Sequence, residues 1–202
     1  MIRALRLAGL VMLVAAANGC ALFAPQRGDE PPNTAAWQVR QNQYQAINHW
    51  AVDARMATAL LGWSGSLNWQ QAGQDLQISV SGPLGIGGFK AHGDLNHVQV
   101  VTSDGQRLQG DPEVLYRQVV GWHFPLRGMR YWALGLPVPG KPSNLSLDTS
   151  GRVDSMRQDG WLIQYTEYRD YAGWELPRRM KLEKDDLTVR IVIDNWRDVA
   201  DS

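Results

Sequence analysis

Few residues in this chain have chemistry that goes beyond packing: one cysteine, four histidines and a serine set between Trp63 and Gly65. The cysteine is the most informative. Cys20 directly follows Ala17-Asn18-Gly19, a small-residue cleavage site, which is preceded by the apolar run Leu7 to Ala17 and by Arg3 and Arg6. That is the pattern of an export signal, and a cysteine at its end reads as a lipobox residue whose sulfur takes a diacylglyceryl group. The apolar run is too short to cross a bilayer, which takes roughly 20 apolar residues in a helix. Residues 1–19 are therefore expected to be removed, leaving Cys20 as the lipidation site. As the sole cysteine it has no intramolecular disulfide partner, and a bare thiol in an oxidising compartment would be a liability without a purpose.

The other candidates lead away from catalysis. His49, His92, His97 and His123 are scattered, with no H-x-x-x-H or H-E-x-x-H spacing to hold a metal, and they read as solvated or hydrogen-bonded residues. Ser64 lacks the Gly-x-Ser-x-Gly elbow that would expose a nucleophile. The segment Gly82-Pro83-Leu84-Gly85-Ile86-Gly87-Gly88 lacks the Gly-Lys-Ser/Thr ending of a phosphate loop. It is open to two readings, a plain Gly-rich hairpin connection or a functional loop. Leu84 favours the second: a leucine at the tip of such a turn cannot easily reach a core, and an exposed apolar tip usually meets an apolar partner. On a chain tethered by lipid that partner is the bilayer, so Pro83, Leu84 and Gly85 are expected to form a membrane-insertion loop. No enzyme activity, metal or cofactor is expected beyond the covalent lipid. Removing Arg3 and Arg6 from a formally neutral chain leaves it short of two positive charges, which disfavours nucleic acid as a partner.

The elements around these residues are mostly strands. Ala21 to Thr34 carries Pro25, Gly28, Pro31 and Pro32 among polar residues and reads as a tether, with residues 20–36 as linker and 37–202 as one folded domain. Trp37, Tyr44, Ile47 and Ala51 recur at helical spacing, with Thr34 as a possible cap. The period then becomes two. Trp63, Gly65, Leu67 and Trp69 face one way and Ser64, Ser66, Asn68 and Gln70 the other; Leu76, Ile78 and Val80 continue the apolar face after a turn at Ala72-Gly73-Gln74. Further strands are expected at 88–93, 98–102 and 106–109, with Asp104-Gly105 as a hairpin signal. Asp111-Pro112 opens an amphipathic helix bearing Leu115, Val119 and Trp122, and Met129 to Leu136 supplies a second short helix before a proline-rich loop. Strands resume from Leu145, with Trp161, Ile163 and Tyr165 on one face, then Met180 and Leu182, then Leu187, Val189, Ile191 and Ile193.

The expected fold is mainly β: a long antiparallel sheet, apolar on one side, that curls into an open half-barrel and is lidded by about three short helices. Nine tryptophans in such a chain demand either an unusually aromatic core or an apolar cavity. Trp63, Leu67, Trp69, Leu76, Ile78, Val80, Trp122, Trp132, Trp161 and Ile163 are the candidate cavity residues. A filled core would instead make the chain a lipid-anchored scaffold or interaction protein.

An ordered set of short motifs resembles the LolB family of outer-membrane lipoprotein receptors. They are Asn68-Trp69-Gln70-Gln71, Gly82-Pro83-Leu84-Gly85, Asp104-Gly105, Gly121-Trp122-His123-Phe124-Pro125-Leu126, Tyr131-Trp132-Ala133-Leu134-Gly135-Leu136-Pro137, Gln158-Asp159-Gly160-Trp161, Leu176-Pro177 and Asp194-Asn195-Trp196, besides the lipobox. The resemblance implies a half-closed barrel with a helical lid and a cavity for acyl chains. It implies a monomer that takes client lipoproteins from a LolA-type periplasmic carrier and inserts them into the inner leaflet of the outer membrane without a nucleotide. It also implies that Leu84 acts in the insertion step. Replacing Cys20 by Ala behind a cleavable ordinary signal should release the protein into the soluble periplasmic fraction, still folded. Persistent sedimentation with membranes would point to another anchor.

Overall fold

A computed structural model of the chain describes residues 33–58, 62–83, 88–121 and 123–201. Helix α1 (Thr34–Gln45) is capped by Asn33, whose side chain accepts from the Ala36 N–H, and it buries Trp37 and Tyr44 on one stripe. The Trp37-to-Ala51 spacing does not run on as helix. Ile47 opens a strand, β1 (Ile47–Thr58), which buries Trp50, Val52, Ala54, Met56 and Thr58. Ile47 and Ala51 satisfy both periods, so the spacing alone is ambiguous. Strand wins because β1 pairs along its length on both sides, a gain that no local helix can match.

The strands then follow in order: β2 (Trp63–Ala72), β3 (Asp75–Ser81), β4 (Phe89–Asp94), β5 (Val98–Thr102) and β6 (Arg107–Gly110). Helices α2 (Pro112–Val120) and α3 (Leu126–Trp132) come next, and β7 (Asn144–Leu147), β8 (Val153–Gln158), β9 (Trp161–Tyr171), β10 (Trp174–Lys184) and β11 (Leu187–Asp201) complete the chain. Among the described residues, eleven strands form one antiparallel sheet in the order β6-β5-β4-β3-β2-β1-β11-β10-β9-β8-β7. It is two meanders joined where the first strand meets the last. The free edges are β6 and β7, and the crossover between them is the segment that carries α2 and α3. The lid is thus the connection that a sheet of this order requires.

The alternation expected from the sequence decides the faces. Leu67, Trp69, Leu76, Ile78 and Val80 are buried on the concave side, and Ser64, Ser66, Asn68 and Gln70 are exposed. Asp159 and Gly160, both with positive φ, make the two-residue turn between β8 and β9. Helix α2 starts as expected, with Asp111 accepting from the Glu113 and Val114 N–H groups and Pro112 in the first turn. It ends at Gly121 in the left-handed region. Helix α3 lies earlier than expected, because its residues beyond Trp132 turn away: Leu134 and Leu136 are buried in the loop that follows.

Two buried polar side chains pin irregular backbone. The Gln158 carbonyl oxygen accepts from Trp132 Nε1 at 2.9 Å and from the Val138 N–H at 2.8 Å, and its amide donates to the Val138 and Lys141 carbonyls. Gln71 likewise accepts from Trp69 Nε1 at 3.0 Å and donates to the Gly73 and Asp75 carbonyls. Both are almost fully buried, where an unmade hydrogen bond is costly. Gln158→Leu should lose about 3 kcal/mol of stability by stranding two buried donors, whereas Gln77→Leu on the exposed face should change it by less than about 0.5 kcal/mol. Urea denaturation of the two variants checks this; equal effects would refute the pinning role.

Candidate functional site: the lidded concave face

The two lid helices cover the two halves of the sheet differently. Helix α3 lies over β8 and β9. Trp132 is fully buried and sits 6.5 Å, centroid to centroid, from Trp161. Its ring N–H donates to Gln158, and its carbonyl accepts from the Tyr165 hydroxyl at 2.8 Å and from the Gly135 N–H at 3.0 Å. Gly128 lets the helix approach its own tryptophan, because a β-carbon there would meet the Trp132 ring at 2.8 Å. This half is a tightly tied core.

Helix α2 lies over β3, β4 and β5 and meets them with apolar groups. Tyr116 packs edge-on against Phe89 at 5.4 Å and stacks on Phe124 at 5.1 Å. Beneath the helix an apolar gap of about 10 Å³ remains, lined by Leu76, Ile78, Phe89, Ala91, Val98 and Val100 from the sheet. Pro112, Leu115, Tyr116, Val119 and Leu126 close it from the lid. That is room for about one water-sized sphere. Anything larger than a water molecule would fit here only by displacing the lid's apolar side chains.

Of the residues expected to line a cavity, Leu76 and Ile78 border this gap. Leu67, Trp69, Val80, Trp161 and Ile163 are buried elsewhere on the concave face, and Trp132 is buried on α3 above it. Trp69 instead belongs to an aromatic cluster, 5.1 Å from Trp50, which is 5.5 Å from Trp196. Trp63 is half-buried at the rim, and Pro83 is exposed where its strand ends. Cys20, Leu84, Gly85 and Trp122 lie outside the described residues. Sequence reasoning missed the α2 side. Phe89, Val98 and Val100 do alternate with Lys90, Gln99 and Val101, but only their packing under Tyr116 distinguishes them from other inward residues.

The ends of the two helices are joined by charge. Arg127, at the start of α3, donates to Asp111 at 2.6 Å, and its backbone N–H donates to Glu113 at 3.1 Å. Glu113 also lies 3.9 Å from His123 Nε2. Partial burial pushes the Asp111 carboxyl up, but the Arg127 guanidinium and the Val114 and Glu113 N–H groups outweigh it and hold the group below the ordinary carboxylate range. Among the described residues no three His, Cys, Asp or Glu side chains are grouped to hold a metal, and no helix is long and apolar enough to cross a membrane.

A curled antiparallel sheet with an apolar concave face, roofed by helices from its own crossover, belongs to the lidded half-barrels. The family profile described as "Outer membrane lipoprotein LolB" matches residues 48–196. Proteins named outer-membrane lipoprotein LolB are similar along nearly the whole chain. The one from Nitrosococcus oceani is 34% identical, covering 95% of this chain and 97% of its own. The one from Stutzerimonas stutzeri is 33% identical over 89% of each, and that from Pseudomonas aeruginosa is 33% identical over 96% of each. The chain belongs to the LolB family of outer-membrane lipoproteins. Among solved structures, a LolA superfamily protein from Nitrosomonas europaea aligns with 81% of this chain and 94% of its own at 10% identity and a TM-score of 0.48.

Asp111 generates a pH prediction. Because its folded pKa is depressed, the bridge contributes stability that is present above the unfolded value of about 3.9 and is lost as pH falls through the lower folded value. The α2 N-terminus should therefore loosen in acid below about pH 4, and binding of an environment-sensitive apolar dye should rise there. Asp111→Ala should show the raised dye binding already at neutral pH. A variant with dye binding as low as wild type would show that the bridge does not hold the lid.

Proposed function

We propose that this protein takes acylated proteins from a soluble periplasmic carrier, holds their acyl chains between α2 and the β3–β5 part of the sheet, and passes them into the outer membrane. The observation that carries this reading is the apolar-lined gap between α2 and the sheet, beside a half that is tied by hydrogen bonds. Each buried methylene is worth about 0.8 kcal/mol, so acyl chains crossing water need a cover. Non-directional apolar surface provides it without catalytic groups. In this proposal no nucleotide is used and direction follows from rising affinity: the receptor holds the chains more tightly than the carrier, and the bilayer holds them more tightly still. The tip residues Pro83, Leu84 and Gly85 are the proposed insertion element, with the lipid on Cys20 keeping them near the bilayer.

The test scores two steps separately: transfer of a labelled lipoprotein from carrier to receptor, then from receptor to liposomes. Ile78→Asn, in the gap, should reduce the first step about tenfold or more, since an unpaired amide among apolar groups costs about 1–3 kcal/mol. Ser79→Asn, one residue away and pointing outward, should not. Leu84→Glu should leave the first step intact and impair the second, because a charge at the tip opposes entry into hydrocarbon. If Ile78→Asn binds apolar ligands as well as wild type, the lidded face is a filled core and the chain is a lipid-anchored scaffold. If Leu84→Glu fails at acceptance, or delivers as well as wild type, the tip is a plain hairpin.

A further inference from the structure

A second, larger concavity adjoins the apolar gap and differs from it in chemistry. It holds about 380 Å³ between the C-terminal half of α2 and the hairpin that joins β5 to β6. Val119 lines both spaces, and Gly88, on the wall of the second, is followed directly by Phe89 on the wall of the first. A side chain at position 88 would meet the Val80 carbonyl at 2.5 Å, so this stretch of wall is bare backbone. Leu108 and Val119 give the groove an apolar floor, and Thr102, Ser103, Asp104, Gln106 and Gln118 give it a polar rim. The space therefore grades from hydrocarbon to hydrogen-bonding groups across a single residue.

The rim selects among polar ligands. Thr102 and Gln106 are already committed to the turn: the Thr102 hydroxyl donates to Asp104, and the Gln106 amide donates to the second Asp104 oxygen at 3.0 Å. The Ser103 and Gln118 side chains stand exposed on the rim and make no hydrogen bond to another described residue, so a ligand here would take the place of solvent on them. Together they offer donors and acceptors, all neutral. Among the described lining residues the one charged group is the acid Asp104, so a phosphate or free carboxylate is disfavoured, whereas ester and amide groups are not.

We propose that this groove is a head-group subsite: it binds the neutral ester-and-amide junction of an acylated polypeptide, that is, the glyceryl esters, the acylated cysteine and the first peptide bonds, while the acyl chains occupy the adjoining apolar space under α2. This rests on the acyl-chain reading above and extends it. A protein standing at a membrane surface meets phospholipids in excess over acylated proteins, and both have the same tails. The groove makes the head the discriminating group, with Ser103 and Gln118 as the specificity residues and Asp104 as the group that opposes anionic heads.

The experiment uses the full chain with Cys20→Ala and compares three probes competing against a fluorescent fatty acid: palmitate, a short neutral peptide carrying an S-diacylglyceryl cysteine, and phosphatidylglycerol. Wild type should bind the lipopeptide more tightly than palmitate, and phosphatidylglycerol no more tightly than palmitate. The double variant Ser103→Ala/Gln118→Leu, which touches no residue of the apolar gap, should weaken lipopeptide binding by about 10-fold, the value of two neutral hydrogen bonds, and leave palmitate unchanged. If palmitate binds but the lipopeptide advantage survives the double variant, the groove is not the head-group subsite and the acyl-chain reading stands. If phosphatidylglycerol binds most tightly and loses that gain in the variant, the groove serves phospholipid heads and the proposal falls. If no probe binds, both readings fall.

Discussion

The pairing of β1 with β11 is the interaction on which the rest of the structure depends. It runs from the Ile47–Asp201 pair to the Thr58–Val189 pair and joins two meanders that are otherwise local. Across its exposed face Arg55 grips Asp194 through two bonds of 2.7 and 2.8 Å, and Arg197 grips Asp53 through two of 2.9 and 3.0 Å. Such exposed ion pairs add little energy, but their fork geometry fixes register. Across the concave face, Trp50 stands between Trp69 and Trp196, so the seam is filled from both strands. With the first and last strands at the centre, the middle of the chain must supply the edges, and the crossover between those edges becomes the roof. The seam also joins residues far apart in sequence, which raises the contact order of the fold, a property that goes with slower folding.

Much of this was legible because alternation is a direct image of a one-sided sheet. Leu67-x-Trp69 and Leu76-x-Ile78-x-Val80 needed no tertiary information to assign an apolar face, and Asp111-Pro112 with Gly121 bracketed α2 by local chemistry alone. The strand β1 was not legible, because Ala51, Ala54 and Ala57 carry little preference and Ile47 fits either period. Its state is decided by β2 and β11, neither of which is visible in a local window. The site was half legible for a related reason. Every inward tryptophan looks like a cavity residue in sequence, yet Trp69 and Trp132 spend their ring N–H groups on Gln71 and Gln158 and are fixtures of the core. Which inward residues border a gap is settled by packing, and packing leaves no periodic trace. The polar groove gave no signal, since it is assembled from a hairpin and a helix end.

On the function proposed here, the two halves of the lid divide structural and ligand-binding demands. Hydrogen bonds are directional and fail when their geometry is lost, so the Trp132–Gln158–Val138 arrangement suits the half that must stay in place. Apolar contacts accept substitutes, and a chain of methylenes in place of Leu115 or Tyr116 restores most of the buried surface that opening removes. The near absence of free volume under α2 follows from the same reasoning, because an empty apolar cavity would cost stability at all times, while a filled one is relinquished only to a ligand. The Arg127–Asp111 bridge ties the N-terminal ends of the two helices together without using the apolar face.

The edge strands carry a consequence for how copies of this protein meet one another. Strands β6 and β7 are four residues each, against eleven in β9 and β10 and fifteen in β11. An unpaired edge is a template for another chain, and the hazard grows with its length and flatness. Here the long strands stand in the interior of the sheet and the short ones face outward, each leading straight into the crossover. A neighbouring molecule, or an unfolded client passing close by, finds at most four residues of backbone to pair with. The strand order that builds a roof therefore also limits polymerisation, and a crowded monolayer of tethered copies can handle greasy cargo without zipping its sheets together.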